Sequence, residues 1–468
     1  VRNENLKCKG GIVLISCYEL GHQPFGLALT TAFLERAGFK PLCMDTSVEP
    51  FDVSKIRGAA FVGISVPMHT ALRLGLRAAL AVRKTNPECH ICFFGLYALL
   101  NAEYLLDRAA DSVIGGEYEQ PMTELVCSLF EGRECAVAGV VKRGDPLRPF
   151  LKRLQFPVPR RSNLPPLRLY AKLETCEGYE QVGYVEASRG CRHLCLHCPI
   201  PPVYQGRFFV LPRDVVLTDI QNQVDRGARH ITFGDPDYLN GPRHSLRIIQ
   251  AMHEEFPTLT FDFTTKIEHL LRYRDLLHEF ARCGCLFIVS AAESLSDVVL
   301  ANLNKGHTRS DFLRALGLVR RAGLVLRPSF VSFTPWTGLE DYLEMLALLE
   351  EEELLDCVDP VQYAVRLLVP PGSWLLFSEA FRPYLGPLQP ENFTYLWRHP
   401  DPRMDQLQLD VSLLVERDAE SREDPLITYA RVRELGECAR DDREADLACV
   451  VIPDHRSRKL RLTEPWFC

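Results

Sequence analysis

The stretch GCRHLCLHCPIPP, residues 190–202, places Cys191, Cys195 and Cys198 in a C-x3-C-x2-C run with His193 and His197 between them. Such a cluster has three chemical readings beyond an incidental loop of cysteines. A zinc tetrahedron of three thiolates would take His193 or His197 as its fourth ligand, although structural zinc motifs usually come as two separated pairs and no second pair follows closely. A ferredoxin-type run needs gaps of two, two and three before a terminal Cys-Pro and four thiolates per cluster; only three thiols stand here, although Pro199 follows the last. There remains a [4Fe–4S] cluster held by three thiolates, with one iron open to a substrate as a catalytic zinc is open at one position.

The surroundings of the run are those of a parallel sheet. Strand signals begin near Tyr184 (GYVEAS), His230 (HITFGD), Leu259 (LTFDFTT), Leu286 (LFIVSA), Val325 (VLRPSFVSF) and Val361 (VQYAVRLL). Most are separated by amphipathic helical patterns such as HSLRIIQAMHEEF and SDFLRALGLVRRAG. Six such units over 183–380 predict a partial (β/α)6 barrel, with the cysteines at the carboxyl end of its first strand, where barrel active sites lie. Upstream, 1–135 alternates buried strands (GIVLISC at 11–17, GAAFVGISV at 58–66, HICFFG at 90–95, DSVIGG at 111–116) with helices. That pattern predicts a doubly wound, flavodoxin-like domain covered on both faces. The Pro- and Arg-rich 136–182 is expected to connect the two, and 381–468 to form a polar extension with little pattern. The fold class is therefore α/β throughout.

A length of 468 residues, 47% hydrophobic and 25% charged, suits two or three globular domains. The net charge of −7 and the lack of a basic tail argue against a nucleic-acid partner. No apolar run is long enough to span a bilayer and no secretion signal opens the chain, so the expected location is the cytoplasm. The 17 cysteines, an odd number spread over the chain, point to reduced thiols.

C-x3-C-x2-C at the top of the first strand of a partial barrel resembles the radical SAM superfamily over about 185–375. The resemblance implies a [4Fe–4S] cluster on Cys191, Cys195 and Cys198 whose open iron chelates S-adenosylmethionine, and a flavodoxin- or ferredoxin-type electron donor. It also implies contacts to S-adenosylmethionine from Asp235 and Asp237 in FGDPDYLNGP (233–242), and from Ser290 and Glu293 in SAAESLSDVVLANLNKGHT. Lys266 and Arg327 are candidates for its carboxylate or for an acidic substrate. The residue before the third cysteine is usually aromatic in the family and is His197 here.

The doubly wound domain resembles the B12-binding domain of the cobalamin-dependent class. His22 in CYELGHQPFG stands where that class ligates cobalt, yet Leu20 and Phe25 replace its Asp and Gly. Cobalamin is thus an expected cofactor with a degenerate ligation motif, and the Gly pair of GGEYE (115–119) is a place where a large ring could approach. The ending LTEPWFC, with Cys468 last, resembles radical SAM proteins whose tails end Cys-Cys-Ala-Glu-Pro or Cys-selenocysteine-Ala-Glu-Pro. With Val1 in place of Met, it carries the expectation of a GTG start and a UGA read as a stop. Cys468 is then a candidate catalytic residue. The expected activity is reductive cleavage of S-adenosylmethionine, with group transfer to a small molecule ahead of hydrogen abstraction and rearrangement. The alternatives are 3-amino-3-carboxypropyl transfer to arsenic, or a non-enzymatic zinc- or cobalamin-binding sensor.

Overall fold

A computed structural model of the chain describes residues 2–133, 136–447 and 460–464. The first sheet holds β1 (Ile12–Ser16), β2 (Leu42–Asp45), β3 (Phe61–Ser65), β4 (His90–Phe94), β5 (Ser112–Ile114) and β6 (Val140–Val141). Its order is β2-β1-β3-β4-β5-β6, parallel except for β6. β1 and β3 are buried at every position, as a sheet with helices on both faces requires. The strand order reverses between β1 and β3, so the crevice beyond their carboxyl ends is where a ligand of such a sheet would sit.

The second sheet is built from β7 (Lys172–Thr175), β8 (Gly178–Val185), β11 (His230–Phe233), β12 (Thr260–Thr265), β13 (Cys285–Glu293) and β14 (Val325–Phe330). Between β8 and β11 a small ribbon of β9 (Ser188–Gly190) and β10 (Phe208–Val210) flanks the cysteine loop. A hairpin of β15 (Leu385–Gln389) and β16 (Thr394–Trp397) follows the barrel, and β17 (Arg461–Leu462) returns to its edge. The order is β14-β13-β12-β11-β8-β7-β17, with β8 through β14 parallel and the two strands at the β7 edge antiparallel. The segment expected to connect the halves, 136–182, thus contributes β6 to the first sheet and β7 with part of β8 to the second. Its middle is pinned by Arg161, which is buried and donates to both Asp219 oxygens at 2.7 and 2.8 Å and to Gln23 Oε1 at 2.9 Å.

Two expectations are corrected here. VQYAVRLL does not form a sixth ladder strand: Pro360–Tyr363 is a 3-10 turn, and the segment meets the sheet through one parallel bridge, Phe333 to Arg366. Arg366 is drawn sideways instead, stacked 3.5 Å over the Trp397 ring and paired with Asp405 at 2.8 Å. The barrel is therefore a half-barrel of five parallel strands. The extension also carries more order than its pattern suggested, in helices Pro402–Glu420 and Pro425–Asp441, capped by Asp401 and Asp424 with proline at the first helical position. Met404, Leu407, Val411, Leu414 and Val415 are buried along one face, and Tyr429 donates to the Leu346 carbonyl at 3.0 Å. A short-range reading missed this stripe because charged residues interrupt it.

Candidate active site

The cysteine loop leaves β9 at Gly190, whose φ of 72° and closeness to the Arg207 carbonyl and Tyr204 ring leave no room for a side chain. Cys191 and Cys195 are buried, Cys198 is half-buried, and all three are free thiols. Burial pushes Cys191 up and Cys198 to about 12; the neighbouring cysteines act in the same direction, and Lys305 pulls Cys198 back. A metal bound here would have to displace their protons.

The loop is braced from every side. Asn240 donates to Cys191 Sγ at 3.5 Å and accepts from the Arg192 amide at 3.3 Å. The Leu196 amide donates to the Leu303 carbonyl at 3.0 Å, Asn304 to the Leu194 carbonyl at 3.1 Å, and Ser373 to the Leu196 carbonyl at 3.4 Å. His197 faces Glu293 at 3.2 Å, and Glu293 in turn pairs with Lys305 at 3.1 Å. Burial works against the Glu293 carboxylate, but Lys305 and His197 outweigh it and hold the group well below the usual range. Glu293 sits at φ 64°, at a register shift of β13 against β14. A glutamate held left-handed at the mouth of a barrel is strained in the way functional sites often are.

The predicted S-adenosylmethionine contacts divide into two groups. Asp235 is engaged by the chain itself: its oxygens accept from Ser188 Oγ at 2.5 Å and the Ala187 amide at 2.9 Å, anchoring the approach to the cysteine loop. Burial raises it to about 7 against those hydrogen bonds. The neighbouring Gly234 carbonyl meets the Tyr184 hydroxyl at 3.5 Å, and the Tyr184 ring fills the space where a side chain would start. Ser290 is buried and donates to the Thr265 carbonyl at 2.7 Å, joining β13 to β12. Arg327 binds the Asp356 and Leu460 carbonyls, each at 3.2 Å, and lies 3.5 Å from Asp359. Facing carbonyls and a carboxylate there, its cation is satisfied away from the cysteine loop.

Lys266, Glu293 and Asp237 do gather around that loop. Lys266 Nζ stands 3.2 Å from His193 Nδ1 and 3.5 Å from Glu268. Asp237 accepts from Thr265 Oγ1 at 2.7 Å and the Leu239 amide at 3.1 Å, and faces His193 and His269. Asn240, His269 and Lys305 were not singled out in the sequence. Their signal was their place in segments already under suspicion, FGDPDYLNGP and NKGHT, or just beyond Lys266. Cys468 lies outside the described residues.

The first domain closes over the loop. Arg189, two residues before Cys191, is buried and lies 2.6 Å from Glu119, 2.8 Å from Glu186 and 3.9 Å from Glu117. Tyr204 donates to Glu117 at 3.0 Å, and Tyr97 of the first domain is near enough to Cys198 to feel its charge. A cleft of about 370 Å³ at the carboxyl ends of β1 and β2 is lined by Cys17, Tyr18, Thr46, Ser47 and Tyr170. Beside it His22 is buried against Tyr184, ring centroids 4.8 Å apart, and its Nε2 faces Glu464 at 2.8 Å. The Gly pair expected to admit a large ring is closed. A side chain at Gly115 would strike Leu99 at 2.6 Å, and the Phe150 carbonyl fills the same space at Gly116.

Residues 185–349 match the family model of the radical SAM superfamily, so this part of the chain is a radical SAM domain, which implies a [4Fe–4S] cluster and S-adenosylmethionine. Among curated proteins, a tRNA-2-methylthio-N(6)-dimethylallyladenosine synthase of Desulfosudis oleivorans is 27% identical over 201 residues, 40% of this chain and 42% of that protein. An anaerobic magnesium-protoporphyrin IX monomethyl ester cyclase of a Synechocystis species is 22% identical over 309 residues, 64% of this chain. The chain spans 42% and 60% of the length of these two relatives.

Two solved structures share the fold. The cobalamin-dependent S-adenosylmethionine radical enzyme OxsB, with aqua-cobalamin bound, superposes at a TM-score of 0.71 and 15% identity over 92% of this chain and 71% of its own. The radical S-adenosylmethionine methyltransferase TsrM of Kitasatospora setae, with cobalamin and a [4Fe–4S] cluster, gives 0.65 and 14% over 92% and 99%. The likeness covers both the doubly wound domain and the half-barrel.

Proposed function

We propose that the protein is an S-adenosylmethionine-cleaving enzyme that transfers a group to a small molecule, with electrons supplied by a flavodoxin- or ferredoxin-type donor. The observation that carries this reading is the braced cysteine loop. Three free thiols of one short loop are held at the carboxyl end of a half-barrel by Asn240, His197–Glu293–Lys305 and backbone hydrogen bonds, within the segment that matches the superfamily. These residues fit a cluster. Burial discourages free thiolates, and Lys305 places a cation beside Cys195 and Cys198. When bound, the cluster supplies an open iron for S-adenosylmethionine and the electron that breaks one of its carbon–sulfur bonds.

The chain's own part is positioning. Lys266, nearly buried at the loop, is placed to take a carboxylate, and Glu293 keeps Lys305 charged beside Cys195 and Cys198. Arg189, buried against Glu117 and Glu119, ties the first domain to the start of the loop. The sensor reading is less favoured, because residues 185–349 match the superfamily and Nε2 of His197 is taken by Glu293. Transfer as the reaction type is supported by the shared fold with TsrM, itself a methyltransferase.

Cobalamin in the first domain is supported by the fold shared with OxsB and TsrM, but the residues present do not fit a cobalt ligated by His22. Its Nε2 is taken by Glu464, and the Gly115–Gly116 approach is filled. No step is therefore assigned to cobalamin.

The test is anaerobic reconstitution with iron and sulfide, followed by dithionite and S-adenosylmethionine, with chromatography of the adenosine product. Bound iron of about four per chain and 5′-deoxyadenosine are expected, both lost in Cys195→Ala. Methylthioadenosine would redirect the reading to aminocarboxypropyl transfer. A full cluster with no cleavage product would overturn it.

A further inference from the structure

Beside the cysteine loop lies a group of side chains that the proposed reaction does not use. His193 projects from the loop, Asp237 follows β11, and His269 sits in the short helix Ile267–Arg272 after β12. Their ligating atoms all lie within 4.8 Å of one another, with Asp237 Oδ2 at 3.3 Å from His193 Nε2 and 2.9 Å from His269 Nδ1. Asp237 is 1% exposed. Its Oδ1 is fully engaged by Thr265, the Leu239 amide and His269. Its Oδ2 has no hydrogen-bond partner, and neither has His193 Nε2, although both atoms are shut away from solvent.

A buried carboxylate oxygen and a buried ring nitrogen 3.3 Å apart gain from a well-aligned hydrogen bond and are costly without one. Here Asp237 Oδ2 faces nitrogens of both histidines, at 3.3 and 2.9 Å, without a well-aligned hydrogen bond to either. We propose that His193, Asp237 and His269 form a second metal site, for a single divalent ion of the zinc–ferrous iron class, next to the cysteine loop.

The chemistry of the set supports that class. Two imidazoles and a carboxylate suit zinc and iron better than magnesium or calcium, which prefer all-oxygen shells. With metal–ligand bonds of about 2.0–2.1 Å, ligand atoms at one ion stand roughly 3 Å apart, the spacing found around Asp237 Oδ2. The ion would replace the proton that His269 Nδ1 now shares with Asp237. Bound through Nε2, His193 carries its proton on Nδ1. Glu268 Oε2, now 3.7 Å away, would have to close in to accept that proton, while Lys266 turns from that nitrogen to Glu268, which it already approaches at 3.5 Å. A carboxylate behind a ligating imidazole is the usual support of such a site. Three protein ligands leave a position open on the ion, as in metal sites that bind a substrate or water. The site would also clamp the cysteine loop to β11 and to the end of β12.

The proposal stands without the cluster reading, and one experiment separates them. The full chain, reconstituted anaerobically with iron and sulfide, is incubated with Zn2+, desalted, and measured for zinc and iron, with zinc-edge X-ray absorption on the same sample. The expected result is one zinc per chain with only nitrogen and oxygen neighbours at about 2.0–2.1 Å, and iron unchanged. His269→Gln and Asp237→Asn, checked for fold by circular dichroism, should each weaken zinc binding by more than about tenfold and retain iron. Sulfur at about 2.3 Å would place zinc on the cysteines and overturn the proposal, as would no retained zinc or folded variants that bind zinc as the parent does. Should both variants unfold, the neighbours of zinc in the parent decide alone. Nitrogen-bound zinc in a chain that takes up no iron would support this site and count against the cluster reading.

Discussion

Individual residues around the loop show how burial and charge assign different tasks to similar groups. Asp235 and Glu293 are both buried carboxylates. Asp235 has only hydroxyl and amide donors and is raised to about 7, whereas Glu293 has Lys305 and His197 and is lowered. Asp235, whose unfolded value is about 3.9, keeps its proton longer in the folded chain. Its contribution is therefore complete below about pH 4 and fades until about pH 7, a change on the order of 4 kcal/mol. Asp235→Asn removes this titration. The stability of the parent, followed by urea unfolding, should fall relative to the variant between pH 4 and 7; parallel profiles would contradict the assignment. Lys305→Met should cost about 3–5 kcal/mol by leaving Glu293 buried without its cation, and adding Glu293→Gln should restore part of that loss. If the single variant unfolds at the parental urea concentration, the pair has no such weight.

Single elements owe their limits to local chemistry that the sequence displays. The helix Arg309–Arg321 begins with a reciprocal cap: Thr308 Oγ1 accepts from the Asp311 amide at 3.2 Å, and Asp311 Oδ2 accepts from the Thr308 amide at 3.1 Å. Thr308→Ala should lower stability by about 1 kcal/mol in urea unfolding, with cluster content unchanged. Loss of iron from this variant would mean that the helix start also sets the loop. The sixth barrel position shows the opposite case. VQYAVRLL has a strand's composition, yet Arg366 finds Trp397 and Asp405 outside the sheet, partners that lie 31 and 39 residues along. A window of eight residues contains neither.

Across the whole molecule the decisive contact is Arg189 with Glu117, Glu119 and Glu186, which locks the doubly wound domain against the half-barrel. Arg189→Met should leave these carboxylates unpaired at about 3–5 kcal/mol and make the connection near 142–171 more open to protease. Unchanged cleavage there would show that packing alone holds the halves together. The buried parallel strands of both sheets, the order of the two halves and the three cysteines were legible in the sequence, because buried strands and metal-ligand spacing are written within short stretches; the edge strands β6, β7 and β17 were not. The bracing of the loop was not. Asn240, Glu293 and Lys305 reach the cysteines from 42 to 114 positions away, counted from Cys198 to Asn240 and from Cys191 to Lys305. The meeting of His193 with Asp237 and His269 was likewise invisible: His193 and Asp237 were candidates for other partners, and His269, 32 residues beyond Asp237, reads alone as an ordinary polar residue. The tail's Glu464 against His22 joins positions 442 apart. By itself the sequence determined most of the buried parallel strands and which residues can hold a cluster, because those depend on local pattern and chemical type. Only the tertiary structure decided which charges stand next to them and which histidines share a carboxylate, because buried electrostatics depends on distance in space and the chain closes those distances only on folding.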